Sequence, residues 1–309
     1  MVMVLEKKGL SLKSGDQIFA EVGGELLDKF LSRRPEKGGN VGIITGEQGS
    51  GKTTLMLLLA KNLIGKDIVI WRGRFLAQWH RFPNWEEKVR ILVHKDDNIE
   101  FLKLPYDGSP ATKLEIPDLV TYESAEDVLR LAKKDKLNVV YEPPGYRISD
   151  ELVKDVKERT GRTISPDKLE EEKPAYFWFE LLYRLLVRRD RRWYSVFIDE
   201  VDDIFPETPK GAQFALQDWM KDIVKDLRKG WVSLIMSTHT LKNVDWRIRT
   251  KIPTRIYLRG AEVEQGSIVR KQVVLGLRDG YAVIDWGRFG GFFFKPLPPV
   301  DYDVLVNRK

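Results

Sequence analysis

The stretch GEQGSGKTTLM follows the apolar run VGIIT and constrains this chain more than any other feature. It fits the pattern G-x-x-x-x-G-K-[ST], in which a glycine-rich loop between a strand and a helix wraps backbone N–H groups around phosphate oxygens. Lys52 would bind the β- and γ-phosphates of ATP, and the hydroxyl of Thr53 would bind Mg²⁺. A chance glycine-rich turn is the alternative, and the strand–loop–helix context disfavours it. The residues predicted to bind the nucleotide are Gly46, Glu47, Gln48, Gly49, Ser50, Gly51, Lys52, Thr53 and Thr54.

A second stretch, YSVFIDEVDDIFP, places acidic residues directly after an apolar strand. At the end of such a strand Asp199 would bind Mg²⁺, directly or through water. Glu200, one residue later, would act as the general base for the attacking water. The alternative is a strand end with solvated acids, which the phosphate-binding loop upstream disfavours. Asp202 and Asp203 are predicted to cap or solvate the following turn.

The Glu beside the Asp is typical of P-loop ATPases that do mechanical work, whereas kinases and GTPases of this class usually lack it. In such ATPases a further strand lies between the P-loop strand and the acidic strand, and its polar end senses the γ-phosphate. VSLIMSTHT (232–240) fits this element, with Ser237, Thr238 and His239 at its end. Thr238 or His239 would orient the water or relay the state of the phosphate. The alternative is a histidine that satisfies local backbone groups.

Apolar runs alternate with amphipathic stretches, which predicts an α/β fold with a mainly parallel central sheet flanked by helices. This is the fold of a P-loop NTPase. Ser124, with Asp127 three residues later, is predicted to cap a further helix. The predicted core strands are 41–45, 67–71, 138–142, 195–199, 232–237 and 254–259, with weaker strands at 88–94 and 99–105. The main predicted helices are 17–32, 52–63, 175–189 and 212–230, with a short charged helix after Ser149.

The whole chain is expected to form a single domain, residues 1–309. Within it we predict an N-terminal extension (1–40), an insertion or elaborated edge (74–137) and a C-terminal β tail (261–309). In the tail, KQVVLGL and YAVIDW flank the turn sequence RDG, which predicts a β-hairpin.

The charge balance mildly favours an anionic partner such as nucleic acid, because 52 basic and 46 acidic residues leave a net charge of +6. The chain has no cysteine and only three scattered histidines, so neither a disulfide nor a structural metal site is expected. No segment resembles a signal peptide, and no run approaches the roughly 18 apolar residues of a membrane span. We therefore expect a soluble, cytoplasmic protein.

Two further segments concentrate basic residues. The segment 71–85, WRGRFLAQWHRFPNW, interleaves them with aromatic rings that could stack on bases, and a core role is the alternative. RRDRRW (188–193) is expected to be a solvated loop or a subunit contact. The side chains concerned in the first segment are Trp71, Arg72, Arg74, Phe75, Trp79, Arg81, Phe82 and Trp85.

Four stretches of the chain carry a family resemblance: VGIITGEQGSGKTTLM, YSVFIDEVDDIFP, VSLIMSTHT and VDWRIRTKIPTRIYLRGA. Together they resemble the FtsK–HerA superfamily, and their sequences are similar to those of archaeal and archaeal-virus or plasmid members. The resemblance covers 41–73 and 138–261. It implies a Mg²⁺-dependent ATPase that works as a homo-oligomer, a hexamer in this group, and pumps double-stranded DNA. Many members carry Gln at the position that His239 occupies here.

Members of this superfamily complete each active site with an arginine from the next subunit, which stabilises transition-state charge. The resemblance places Arg247 and Arg249 in that role, with Arg259 as a third candidate. Surface salt bridging is the alternative for each of them.

The expected function is ATP hydrolysis coupled to DNA translocation or packaging by a ring. Two alternatives stay open. One is an ATP-dependent switch or a morphogenesis ATPase, such as the Zot-like assembly proteins, that does not translocate DNA. The other is a replication or recombination initiator, which the absence of a separate DNA-reading module disfavours.

Overall fold

A computed structural model describes residues 24–309, so most of the N-terminal extension and the first part of the helix predicted at 17–32 lie outside it. The helices in the described range are α1 (Gly24–Leu31), α2 (Lys52–Leu63), α3 (Trp85–Lys88), α4 (Ala125–Leu131), α5 (Asp150–Thr160), α6 (Pro166–Leu169), α7 (Pro174–Val187), α8 (Gln213–Lys229), α9 (Trp246–Arg249) and α10 (Lys271–Leu275). The strands are β1 (Val41–Thr45), β2 (Ile68–Arg72), β3 (Leu76–Ala77), β4 (Val89–His94), β5 (Ile99–Pro105), β6 (Thr112–Lys113), β7 (Leu119–Tyr122), β8 (Leu137–Val140), β9 (Tyr194–Ile198), β10 (Val232–Thr238), β11 (Thr254–Tyr257), β12 (Tyr281–Asp285), β13 (Phe289–Phe293) and β14 (Tyr302–Arg308).

The central sheet has ten strands in the order β13-β12-β11-β1-β10-β9-β2-β8-β4-β7. The eight strands from β11 to β7 are parallel, and β12 and β13 add an antiparallel hairpin at one edge. Strand β10 lies between β1 and β9, as predicted for the strand that ends in polar residues. The predicted α/β fold with a mainly parallel sheet is therefore confirmed.

Helices cover both faces of this sheet, because its parallel strands are apolar on both sides. Every residue of β1, β9 and β10 is buried. On one face α7 and α8 pack Trp178 and Trp219 into the core, and on the other face α1 and α2 contribute Phe30 and Leu59. The two cores fix the strands in place, and with them the loops that follow their carboxyl ends.

A second, four-stranded sheet in the order β3-β14-β5-β6 joins the C-terminal strand to the segment 74–137. β14 pairs antiparallel with all of β5, from Tyr302 opposite Pro105 to Arg308 opposite Ile99. The segment 74–137 thus contributes to both sheets, since its strands β4 and β7 extend the edge of the central one.

Local patterns predicted most elements correctly, and the C-terminal tail contains the clearest error. Ser124 and Asp127 form the predicted capping box of α4. KQVVLGL is not a strand, because its first five residues form helix α10. Val274 and Leu277 are buried there and are three residues apart, which is helical spacing, while Leu275 is 62% exposed. The hairpin is instead formed by YAVID and FGGFF, which are β12 and β13.

Candidate functional site

The glycine-rich loop lies between β1 and α2, at the carboxyl edge of the central sheet. Gly51 precedes α2 with φ of 92°, a left-handed conformation that favours glycine. At Gly46 the constraint is space, because an added Cβ would lie 2.5 Å from Ser50 Oγ and 2.9 Å from Leu258 Cβ. The loop conformation therefore depends on both glycines, as the phosphate-binding pattern requires.

Lys52 is folded back into this loop. Its ammonium donates to the carbonyl oxygens of Gly46 and Glu47 at 2.8 and 2.9 Å and lies 3.0 Å from His239 Nδ1. Because an ammonium can only donate, Nδ1 accepts, which leaves the imidazole proton on Nε2. Burial lowers the pKa of Lys52, against the opposing charges of Asp199, Asp202 and Glu47. The Lys52 ammonium thus lies at a position where phosphate oxygens would replace the neutral acceptors that it now contacts.

Asp199 connects the acidic strand to α2 and to β10. Its Oδ2 accepts a hydrogen bond from Thr53 Oγ1 at 2.9 Å, and its Oδ1 accepts from Ser237 Oγ. These contacts form because β9 and β10 are adjacent parallel strands whose carboxyl ends meet beside the first turn of α2. The structure therefore brings together the hydroxyl and the carboxylate that were predicted to hold Mg²⁺, and both are hard oxygen donors of the kind that Mg²⁺ prefers.

Glu200 has a left-handed backbone, with φ of 51° and ψ of 62°, which costs a non-glycine residue about 1–3 kcal/mol. Arg72, from the end of β2, offsets this cost by donating to the backbone carbonyls of Asp199 and Glu200, each at 3.2 Å. The guanidinium of Arg72 is itself fixed by Glu142, which also accepts from Trp178 Nε1 at 2.7 Å. The turn that carries the predicted base is thus held from the neighbouring strand.

The charge environment of Arg72 is consistent with this role. Burial alone would lower the pKa of Arg72, but the carboxylates of Glu142 and Asp203 outweigh it and raise the pKa. The guanidinium therefore stays charged, and its fixed donors keep the Glu200 turn in one conformation.

The carboxylate of Glu200 is ion-paired to Arg74, which also contacts Asp203. On its other side, Glu200 Oε1 is 3.8 Å from His239 Nε2. Neither Arg72 nor Arg74 was predicted to lie in this site. The sequence did place WRGR, which contains both arginines, at the end of a predicted strand. Only the strand order, in which β2 lies next to β9, shows that this strand end adjoins Glu200.

The polar end of β10 also contacts the acidic turn. Thr238 Oγ1 donates to Asp202 Oδ1 at 3.0 Å, and Thr45 Oγ1 donates to the backbone carbonyl of His239 at 3.3 Å. Thr238 is buried, whereas the His239 side chain is 44% exposed. His239 therefore contacts both Lys52 and Glu200 from the solvent side of the site.

The three candidate arginines all lie in contacts within their own chain. Arg247 is 2.6 Å from Asp245 and 3.5 Å from Asp218, and its side chain is 12% exposed. Arg249 pairs with Glu264 at 3.3 Å. Each of these two would have to leave a partner in its own chain in order to reach a neighbouring subunit.

Arg259 differs from the other two, because it lies beside the glycine-rich loop. It pairs with Glu47 at 2.5 Å and with Asp279 at 3.0 Å, and its side chain is 39% exposed. Its own subunit therefore already places this arginine next to the nucleotide site.

The aromatic residues of 71–85 lie mostly in the core and not on a base-stacking surface. Trp71, Trp79 and Phe82 are at most 4% exposed, and Trp79 Nε1 donates to Tyr141 Oη at 2.8 Å. Phe75 is the exception, at 69% exposed. The alternative of a core role is therefore correct for these three rings, since Trp71 stacks on Phe197 of β9 and Trp79 packs against Phe101 of β5.

No protein-family model matches this sequence, and no curated protein matches it. Among solved structures, the fold is similar to that of the genome packaging NTPase B204 from Sulfolobus turreted icosahedral virus 2 in complex with sulfate, at 13% identity over 87% of this chain and 100% of that one, with a TM-score of 0.45. It is also similar to the N-terminal domain of zonular occludens toxin from Neisseria meningitidis, at 14% identity over 88% and 94% of the chains (TM-score 0.33).

A third similar structure is EssC (ATPases 2 and 3) from Geobacillus thermodenitrificans, at 14% identity over 87% of this chain and 42% of that one (TM-score 0.38). At these identities and scores the likeness concerns the fold and says nothing about ligand or activity. Two of these three similar structures are thus a genome packaging NTPase and a protein described by two of its ATPase domains.

Proposed function

We propose that this chain hydrolyses ATP and couples hydrolysis to the movement of double-stranded DNA, as a subunit of a ring. The observation that carries the proposal is the convergence of Lys52, Thr53, Asp199 and Glu200 at one edge of the sheet. Thr53 and Asp199 are hydrogen-bonded to each other, and Glu200 directly follows Asp199 in a turn held by Arg72. A cation, two hard oxygen ligands and a carboxylate base are the groups that ATP hydrolysis needs.

In this proposal the ammonium of Lys52 leaves the carbonyls of its own loop and binds the β- and γ-phosphates. Thr53 and Asp199 hold Mg²⁺, which when bound neutralises charge on the phosphate oxygens. The backbone N–H groups from Glu47 to Thr54 orient the phosphates, with the N-terminus of α2 behind them.

Glu200 accepts the proton of the attacking water. To do so its carboxylate must exchange the ion pair with Arg74 for contact with that water. Thr238 and His239 detect the γ-phosphate, since His239 lies between Lys52 and Glu200. In the structure the predicted base is paired to Arg74.

The DNA partner, the hexameric ring and the cytoplasmic location follow from the resemblance of the motifs to the FtsK–HerA superfamily and from the net charge of +6. Among residues 24–309 there is no helix with the length and apolar character of a membrane span. An arginine supplied by the neighbouring subunit would complete each site.

The test is the ATPase rate with and without double-stranded DNA and with and without Mg²⁺, together with the particle mass in solution. We expect turnover that requires Mg²⁺, rises with DNA and belongs to an oligomer. A monomer that hydrolyses ATP at the same rate with and without DNA would favour the switch or morphogenesis ATPase. A protein with no turnover in any condition would contradict the proposal.

A further inference from the structure

The amino ends of six adjacent parallel strands form the edge of the sheet opposite the nucleotide site. These strands are β11, β1, β10, β9, β2 and β8, in that order. The segments that lead into them, with the last residue of α8, expose ten basic side chains and only three acidic ones. We call the basic set the basic edge, and its members are Arg34, Lys37, Lys66, Lys133, Lys134, Arg189, Arg191, Arg192, Lys229 and Lys251. The acidic residues are Glu36, Asp135 and Asp190.

Most of this charge is not neutralised within the chain. Arg192 pairs with Asp190 at 2.6 Å, and Lys229 is 3.9 Å from Asp226. The other eight cations have no ion pair among residues 24–309. The excess of seven positive charges exceeds the +6 of the entire chain, so all other residues together carry a net charge of −1.

The loops that present these cations are bound to one another. Arg33 and Ser195 both bond to Asp67, at 2.8 and 2.6 Å, which joins the loops before β1 and β2 to β9. Arg228 Nε donates to the carbonyl of Gly39 at 3.2 Å, which joins the end of α8 to the loop before β1. Partly buried arginines thus hold the edge in shape.

Two tryptophans complete this bracing. The rings of Trp193 and Trp231 are stacked, 5.2 Å apart at 9°. Trp231 Nε1 donates to the carbonyl of Pro35 at 3.3 Å, and its backbone has φ of 63°. Both rings are half-buried against each other, so they fix the loops before β9, β10 and β1 in relative position.

The dimensions of the basic edge suit a nucleic-acid backbone. Six strands about 4.8 Å apart give a row about 24 Å long. One DNA strand has a phosphate every 3.4 Å along the helix axis, so the row is as long as about seven base pairs of duplex. The row ends at the next strand, β4, because the exposed Glu86, Glu87 and Lys88 that precede it have a net charge of −1.

We propose that the basic edge binds the phosphate backbone of double-stranded DNA, independently of sequence. This inference rests on the proposed function for its partner and adds the surface, which lies at the opposite end of the strands from the ATP site. An anionic membrane is the competing partner for a basic surface. The structure favours DNA, because membrane contact uses exposed apolar side chains, whereas the two tryptophans of this edge are stacked on each other.

The test uses the triple variant Arg34→Ala/Lys134→Ala/Arg189→Ala, whose three side chains have no described partner. The matched control is Lys113→Ala/Lys154→Ala/Lys168→Ala, which removes three exposed lysines elsewhere. Binding of a fluorescent duplex is measured by anisotropy between about 50 and 200 mM salt, the range in which phosphate contacts show clearly. Circular dichroism and the ATPase rate without DNA check that each variant is folded.

We expect the triple variant to bind the duplex more weakly than the parent. Its slope of log K against the logarithm of the salt concentration should be less steep by about 2.7, because each of the three lost phosphate contacts contributes about 0.9. The control should keep the parent slope. The charge-retaining variant Arg34→Lys/Lys134→Arg/Arg189→Lys should restore both affinity and slope.

An unchanged slope and affinity in the triple variant would overturn this inference and leave the proposed function in place, because the parent would still bind DNA. A parent that fails to bind the duplex would instead contradict the proposed function. Vesicles of phosphatidylglycerol form the second arm. Binding to vesicles that the triple variant loses, with duplex binding unchanged, would assign the edge to a membrane and overturn the DNA assignment.

Discussion

Arg74 and Glu200 form an ion pair that joins the end of β2 to the turn after β9. The two residues are 126 positions apart in the sequence and meet because β2 and β9 are adjacent parallel strands. Asp203 shares the same guanidinium. The side chains of Arg74 and Glu200 are 28% and 37% exposed, so solvent screens the pair only in part. If Glu200 is the base, this contact restrains it.

Arg74→Ala should therefore raise the ATPase rate in the absence of DNA. A partly exposed ion pair is worth up to about 1 kcal/mol, so the expected increase is about fivefold or less. Arg81→Ala, which removes an ion pair with Asp303 away from the site, is the control and should leave the rate unchanged. A fall in turnover with nucleotide binding intact would mean that Arg74 assists the reaction and does not restrain it.

Lys52→Ala should abolish ATP turnover and weaken nucleotide binding, because no other cation of residues 24–309 occupies the centre of the glycine-rich loop. The fold should persist, since Lys52 bonds only to loop carbonyls and His239. Lys61→Ala, at an exposed position on the same helix α2, is the matched control. Binding of a fluorescent ATP analogue and phosphate release measure the two effects. Turnover at the parent rate in the Lys52 variant would refute the nucleotide site.

Short-range pattern predicted the elements that carry this site, because each is a local unit. The glycine-rich loop, the buried run before Asp199 and the polar end of β10 each fit within about ten residues, where burial and turn chemistry act. The Glu beside the Asp, which is typical of P-loop ATPases that do mechanical work, added the prediction that β10 lies between β1 and β9. A local pattern that fits two structures led to a wrong prediction. In KQVVLGL the apolar residues fit a strand as well as one face of helix α10, which is the structure they form.

Long-range contacts could not be predicted in the same way. β14 pairs with β5 across about two hundred residues, and Phe101 of that second sheet packs against Trp79, one of the rings that resembled a base-stacking surface. The Arg72 clamp on the Glu200 turn depends on strand order, which no single segment encodes. The basic edge likewise forms from segments that carry only one to three of its cations each and become one row when the strands align.

Glu200→Gln should keep ATP bound while turnover falls by about 10²–10⁴, the usual contribution of a positioned acid–base group. The amide retains the size of the side chain but cannot accept the proton. Glu115→Gln, at a residue whose side chain is 86% exposed, is the control. Equilibrium binding and single-turnover hydrolysis separate the two effects. Loss of binding in a folded Glu200 variant would make this residue structural or a metal ligand.

An arginine acting from the neighbouring subunit should be revealed by mixing two inactive variants. Arg247→Ala, Arg249→Ala and Arg259→Ala are each mixed with Glu200→Gln subunits. At a mixed boundary one subunit supplies the intact loop and base, and the other supplies the intact arginine, so partial activity should return. Since Arg247 is held by Asp245 and Asp218, and Arg259 lies beside the loop of its own subunit, we expect rescue with Arg249 and a loss of thermal stability for Arg247→Ala.

The controls for this experiment are the unmixed variants and the particle mass of each mixture. Two defects within one self-contained site cannot rescue each other. Mixed assemblies that form by mass but recover no activity with any of the three arginines would therefore count against a contribution in trans.

His80 should make the stability of the fold depend on pH. It is 2% exposed, its ring stacks on Tyr302 of β14 at 5.4 Å, and burial lowers its pKa. A histidine whose pKa is lower in the folded state takes up its proton first in the unfolded chain. Its contribution to the free energy of unfolding is therefore complete above its ordinary pKa of about 6.5 and is lost as the pH falls below that value.

His80→Phe keeps an aromatic ring beside Tyr302 and removes the titration. Between about pH 7 and 5 the free energy of unfolding, measured with denaturant, should fall less steeply for this variant than for the parent, with a difference of at most about 1.4 kcal/mol per pH unit. Parallel pH profiles for parent and His80→Phe would show that His80 titrates alike in the folded and unfolded chains.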